Sequence, residues 1–178
     1  APQENEKYSR SGDEAGYHGY YTKDFNRPNS HFGTEAELKA LIAAADNLGL
    51  KIIIDAQLNH TADYLEYPST TYSPADYKPA APFDNPAWYH NTPNIVNFDD
   101  PNEAQNYSLG GLDDLAQENP DCWQALMDAY WNPDTDSGWF SYGFAGSRVD
   151  AVIEIPPQYL ALYEQHTGKP SFGEAFTG

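Results

Sequence analysis

Arg148 stands apart from the rest of its neighbourhood. It is the only Lys or Arg between Pro79 and Gly168, in a stretch that carries 14 Asp and Glu. It lies two residues before Asp150, so on an extended strand the two side chains point to one face. A guanidinium there keeps Asp150 ionised and fixes its orientation; a purely structural ion pair is the plainer alternative. Glu174 lies between Phe172 and Phe176, and desolvation by those rings favours a protonated carboxyl. Neighbouring strands run about 4.8 Å apart. Carboxylates on adjacent strand ends can then approach to about 5–5.5 Å, the separation at which one acts as nucleophile and the other as general acid on a glycosidic bond.

Asn59-His60 offers a second set of groups. An amide oxygen and nearby carboxylates suit a hard cation such as calcium, and the imidazole suits a sugar hydroxyl. Asn59-His60-Thr61 and Asn106-Tyr107-Ser108 also match the glycosylation triplet, a pattern too common to carry weight. Asn132 to Gly138 superficially resembles a calcium loop, but its glycine falls one position late and Gly143 stands where a Glu is needed.

These groups need a scaffold. Thr34-Glu35-Ala36-Glu37 is a capping box, followed by Leu38, Leu41, Ile42, Ala45 and Leu48 at helical spacing and by Gly49. Lys51 to Asp55 is a short β-branched run, expected to be a strand buried on both faces. Residues 61–110 hold seven of the 14 prolines and nine aromatics, which forbids long helices and predicts an irregular, loop-rich excursion. Asn119-Pro120 opens a helix with Trp123, Leu126, Met127 and Tyr130 on one face. Phe144 to Ala151 reads as a strand, Pro156-Pro157 opens a helix carrying Leu160 and Tyr163 that closes at Gly168, and Pro170 to Glu174 reads as a strand. Residues 1–16 read as loop. Helix alternating with buried strand is the unit of a parallel α/β sheet. Its three strands would end near Asp55, Asp150 and Glu174, at the edge where such folds bind ligands.

Composition excludes several classes. The formal net charge is −18 over 178 residues, which repels phosphate backbones and argues against nucleic acid as a partner. The longest apolar run, Ala40 to Ala45, is far short of a membrane span, and the N-terminus shows no signal-peptide pattern. Cys122 is the single cysteine, so no intrachain disulfide or cysteine-built zinc site can form; beside Trp123 it is expected to be a buried filler.

Five motifs then converge in order. Gly16-Tyr17-His18-Gly19-Tyr20-Tyr21 with His31-Phe32-Gly33-Thr34, Asp55-Ala56-Gln57-Leu58-Asn59-His60, Leu112-Asp113-Asp114-Leu115, Gly146-Ser147-Arg148-Val149-Asp150-Ala151, and Phe172-Gly173-Glu174-Ala175-Phe176 resemble the motifs of the α-amylase family, glycoside hydrolase family 13. The resemblance implies an α/β fold, part of a (β/α)8 TIM barrel, with barrel strands three to five and an inserted loop-rich domain B. The boundaries are residues 1–60 for the first barrel segment, 61–115 for domain B and 116–178 for the second barrel segment. It implies retaining hydrolysis of α-1,4-glucosidic bonds in starch-like glucans, with Asp150 as nucleophile and Glu174 as acid/base. Arg148 orients Asp150, Tyr20 stacks on the sugar, and His18 and His60 bind its hydroxyls. Asn59 and Asp114 are calcium ligands, completed by a backbone carbonyl near Glu154. The implied partners are maltooligosaccharides and the remainder of the barrel, and the implied location is secreted or periplasmic.

Three positions depart from the family pattern: Glu154 stands where His is usual, Ala116 replaces a commonly polar residue, and Tyr21 replaces a frequent Trp. They bear on specificity and leave the two carboxylates untouched. A complete barrel takes about 250 residues, and the family's third carboxylate has no counterpart among these motifs, so the chain is expected to be a segment of a longer enzyme. A transglycosylase of the same family and a non-catalytic glucan-binding module are the alternatives.

Overall fold

The capping box forms as its residue types require. In the computed structural model, which describes residues 1–175, the Thr34 hydroxyl accepts from the Glu37 amide at 3.3 Å and the Glu37 carboxylate accepts from the Thr34 amide at 2.8 Å. They open helix α1, Glu35–Asn47. Short helix α2 follows at Pro101–Asn106, then α3 at Pro120–Tyr130 and α4 at Pro157–Thr167. Proline sits in the first turn of α2, α3 and α4, where its missing N–H is an orphan anyway. Asn119 caps α3 by accepting from the amides of Asp121 and Cys122.

Strands β3 (Ile54–Ala56), β4 (Ser147–Val149) and β5 (Ser171–Gly173) form a parallel sheet in the order β3-β4-β5. Each is shorter than the run that predicted it. Ile53 lies outside β3 and is 42% exposed, so burial on both faces does not hold: β3 is an edge strand among the described residues, with β4 as its one partner. Residues 1–16 are not all loop. Gln3–Asn5 form β1, buried and antiparallel to β2 at Thr22–Pro28. Polar side chains conceal β1 from any hydrophobic count, because its burial comes from tertiary cover.

One hydrophobic cluster runs through the molecule. It joins Ile54 and Val149 of the sheet to Leu126, Met127 and Tyr130 of α3, Tyr163 of α4, and Phe83, Trp88, Tyr89 and Leu115 of the excursion. The excursion is irregular, as its prolines require, apart from α2 and a 3-10 turn at Pro86–Trp88. Among the described residues it shares this core and has no separate one. Leu41 and Leu48 of α1 are exposed, whereas Ile42 and Ala45 are buried, so among the described residues only part of that apolar stripe is covered. No described helix is long and apolar enough to cross a membrane.

Cys122 is fully buried against the Trp88 carbonyl, and burial pushes its thiol up to about 12. A thiol reagent at pH 8 is therefore expected to label the folded protein on the order of a thousandfold more slowly than the unfolded protein. Rapid stoichiometric labelling under native conditions would contradict this packing.

Candidate active site

Register alone assembles the site. Asp55 pairs with Arg148, and Arg148 with Phe172. Beyond the strand ends the pattern continues: the Asp150 amide donates to the Ala56 carbonyl and the Glu174 amide to the Val149 carbonyl, both at 2.9 Å. Gln57, Asp150 and Glu174 therefore lie in one row at the C-terminal rim of the sheet. Asp55 and Arg148 lie in the row below, on the same face by strand alternation. Two backbone features hold the rim. Ala151, directly after Asp150, sits in the left-handed region at φ 52°, a conformation that costs on the order of 1 kcal/mol for a residue with a Cβ. A Cβ on Gly173 would stand 2.3 Å from Val152 Cγ1, so only glycine lets the strand carrying Glu174 approach this turn.

Arg148 is the hub. Its Nη1 donates to Asp55 and to Asp150 Oδ1, each at 2.6 Å, and its Nη2 pairs with Glu174 at 2.8 Å. Burial works against the guanidinium's charge, but the bond to Asp55 and the fields of Asp55 and Asp150 outweigh it and raise its pKa. Asp150 is nearly buried, with 10% of its side chain exposed; Glu174 is 40% exposed. The aromatic enclosure expected around Glu174 is not formed. Phe172 shares a face with Glu174 but is 60% exposed, because β5 is the last strand of the described sheet and nothing described packs over it, and Phe176 lies outside the described residues.

Tyr20, His18 and His60 gather beside this hub. The Tyr20 hydroxyl donates to Asp55 Oδ2 at 3.0 Å, and its ring lies 5.9 Å from the Arg148 guanidinium. Burial, with Asp55 alongside, pushes the phenol up to about 12. His18 stacks on Tyr20 and accepts from its amide at 3.0 Å. Burial lowers both imidazoles, His60 to about 4, so His60 is neutral at ordinary pH. The Nε2 atoms of both rings are buried without a partner among the described residues. Two ring nitrogens left unpartnered inside the fold are polar groups that call for hydrogen-bond partners.

The expected metal ligands come together in part. His60 lies opposite Asp114 in an antiparallel bridge, and the Leu115 amide donates to the Asn59 carbonyl. Asn59 Oδ1 is buried and unpartnered. Asp114 is buried, and desolvation pushes its carboxyl up to about 7. Such oxygens fit a hard cation. Glu154 is buried too, and burial followed by the charges of Asp150 and Glu174 raises its carboxyl. Among the described residues, no three His, Cys, Asp or Glu side chains form a metal-holding group.

Three participants escape sequence reasoning. Asp55 is legible as a strand-end acid but not as the second partner of Arg148. Gln57 donates to Asp150 Oδ2 at 3.2 Å; its only signal is its place two residues after Asp55. His90 bonds Asp114 at 2.5 Å and Glu118 at 2.9 Å, and nothing in its local sequence announces either contact. Asp113, beside Asp114, is structural: its carboxylate accepts from the Tyr64 and Leu65 amides and clamps the start of the excursion to its end.

Comparison with known proteins identifies the family. The family model described as "Alpha amylase, catalytic domain" matches residues 2–172. A "Beta/alpha-amylase" of Paenibacillus polymyxa is 30% identical over 174 residues, covering 93% of this chain and 13% of the relative. A cyclomaltodextrin glucanotransferase of Geobacillus stearothermophilus is 32% identical over 152 residues, covering 80% and 20%. The solved α-amylase from Malbranchea cinnamomea superposes with a TM-score of 0.80 at 27% identity, over 99% of this chain and 36% of that one. The α-amylase from Geobacillus thermoleovorans, complexed with acarbose, gives 0.73 at 27% identity, over 96% and 35%. The chain thus spans about a third or less of the length of these proteins, and it has their α/β fold. With the family model matching nearly its whole length, the chain belongs to the α-amylase catalytic-domain family.

Proposed function

We propose that this chain is the central part of a retaining glycosidase acting on α-1,4-glucans, with Asp150 as nucleophile and Glu174 as acid/base. In this reading β3, β4 and β5 are the third to fifth strands of a (β/α)8 barrel, residues 61–115 are domain B, and residues 1–60 and 116–178 are the flanking barrel segments. The observation that carries it is a single guanidinium holding both carboxylates in one row at the C-terminal rim. Rows on adjacent strands lie about 4.8 Å apart, which favours the close spacing of double displacement over the about 6.5–9.5 Å needed to seat a water between the acids. The Glu174–Arg148 contact is the more exposed one, so an entering sugar can replace it and free Glu174 to protonate the leaving oxygen. Tyr20 offers a ring face to the sugar, and His18 and His60 offer their free nitrogens. The test is the anomeric configuration of the first product from maltoheptaose, followed by NMR in the full-length protein. Retention is expected; inversion would end the assignment.

Transglycosylation is the second reading, favoured by the cyclomaltodextrin glucanotransferases among the relatives. Chromatography of the products separates the two, since cyclic glucans arise only by transfer.

Asn59 and Asp114 are the side chains that hold calcium in this proposal, with a backbone carbonyl near Glu154. The ion supplies positive charge where the end of β3 meets the excursion. At a calcium concentration about 100 times its Kd, binding adds about 2.7 kcal/mol, so Tm is expected to fall by roughly 5–10 °C in a chelator. Asp114→Ala is expected to abolish that difference. A melting temperature that ignores both calcium and chelator would remove the metal from the proposal.

A further inference from the structure

Gln57 is the member of the catalytic row with no assigned task. Its side chain is fully buried. Its Nε2 donates to Asp150 Oδ2 at 3.2 Å. Its Oε1 is buried and has no partner among the described residues. A buried amide with one unsatisfied oxygen is a poor contributor to stability, so packing does not account for it. The described bond of that side chain goes to the carboxylate proposed as nucleophile. A carboxylate offers acceptors only, so the bond also settles which end of the amide faces Asp150.

The residue is itself held firmly. The Tyr130 hydroxyl, reaching in from α3, accepts from the Gln57 amide at 2.7 Å and donates to the Gln57 carbonyl at 2.8 Å. The Gln3 side chain donates to the same hydroxyl at 3.1 Å. Asp150 is thereby held at both oxygens by separate donors, Oδ1 by Arg148 and Oδ2 by Gln57. Two donors on separate oxygens stop the carboxylate turning about its Cβ–Cγ bond, which one donor does not.

We infer that Gln57 is a positioning residue for the nucleophile: its amide locks the Asp150 carboxylate in the plane from which it attacks. The inference rests on the proposed role of Asp150. In that step a carboxylate oxygen bonds to the anomeric carbon as the bond from that carbon to the glycosidic oxygen breaks, and the departing oxygen takes the proton of Glu174.

The experiment uses the full-length protein and an aryl maltooligoside. Gln57→Met keeps the length and removes the donor; Gln57→Leu is the second variant should the first fail to fold. The expected result is a kcat about 10- to 100-fold lower, with KM within about twofold and Tm unchanged or higher. The decisive arm is Asp150→Gly supplied with azide, which bonds to the anomeric carbon in place of the carboxylate. There, adding Gln57→Met is expected to change the azide-dependent rate less than about twofold, because a residue acting through Asp150 has nothing left to act on. An equal loss in both backgrounds, or no loss in either, would overturn the inference and leave Asp150 as nucleophile. Full activity of Asp150→Gly without azide would instead overturn the proposed function, and this inference with it.

Discussion

Glu174→Gln in the full-length protein is expected to lower kcat on maltoheptaose by on the order of 10³-fold while KM stays within a few-fold. The amide keeps the size and the hydrogen bonds of the carboxyl but has no proton to give the leaving oxygen, and general acid catalysis is typically worth about 10²–10⁴. Binding is expected to survive, because in the proposed reading Tyr20, His18 and His60 make the sugar contacts. An activated aryl glycoside, whose leaving group needs little protonation, is expected to recover most of the first step. Stability should barely move, since the side chain is 40% exposed. Undiminished release of reducing sugar by this variant would refute the assignment of Glu174.

Arg148→Met carries the second large effect, and it touches fold and chemistry together. One guanidinium serves Asp55, Asp150 and Glu174 within 2.8 Å. Its removal leaves three carboxylates facing one another, with Asp150 nearly buried. Losing a hydrogen bond to a charged group costs about 1.5–3 kcal/mol, or roughly 4–10 °C of Tm at this size. Activity is expected to fall on the order of 10³-fold, because Asp150, the proposed nucleophile, loses both its orientation and its counter-charge. Arg148→Lys is expected to recover stability better than turnover. An ammonium supplies the charge, but it is a point without the planar fork that lets two nitrogens serve separate carboxylates. Equal recovery of both by Lys would mean the site needs only a positive charge, and the proposed geometry would fail.

The helices were the most legible part of the chain, for a local reason. A cap, a prolyl first turn and a 3.6-residue period all act within a few residues of the backbone they order, so α1, α3 and α4 stand where their sequences put them. Burial was less legible. Leu41 and Leu48 have the same residue type and period as a core face, yet they are exposed, because burial depends on what packs opposite. The strand β1 was hidden for the complementary reason: Gln3-Glu4-Asn5 has no apolar signature, and β2 and the Tyr130 hydroxyl provide its cover and its hydrogen bonds.

By itself the sequence determined the chemical inventory: a lone arginine two residues from one acid and one strand away from another, an Asn-His pair at the end of a third strand, and a net charge of −18 that argues against nucleic acid. Tertiary structure alone decided how these meet. Parallel register placed Asp55 on the same guanidinium as Asp150 and set Gln57 against the Asp150 carboxylate; the fold of the excursion brought His90 to Asp114 across 24 residues. Such contacts are set by strand alignment and chain return over long separations, where no local propensity acts. That is why the two strand-end carboxylates could be singled out from spacing, while the residues that hold them in position could not.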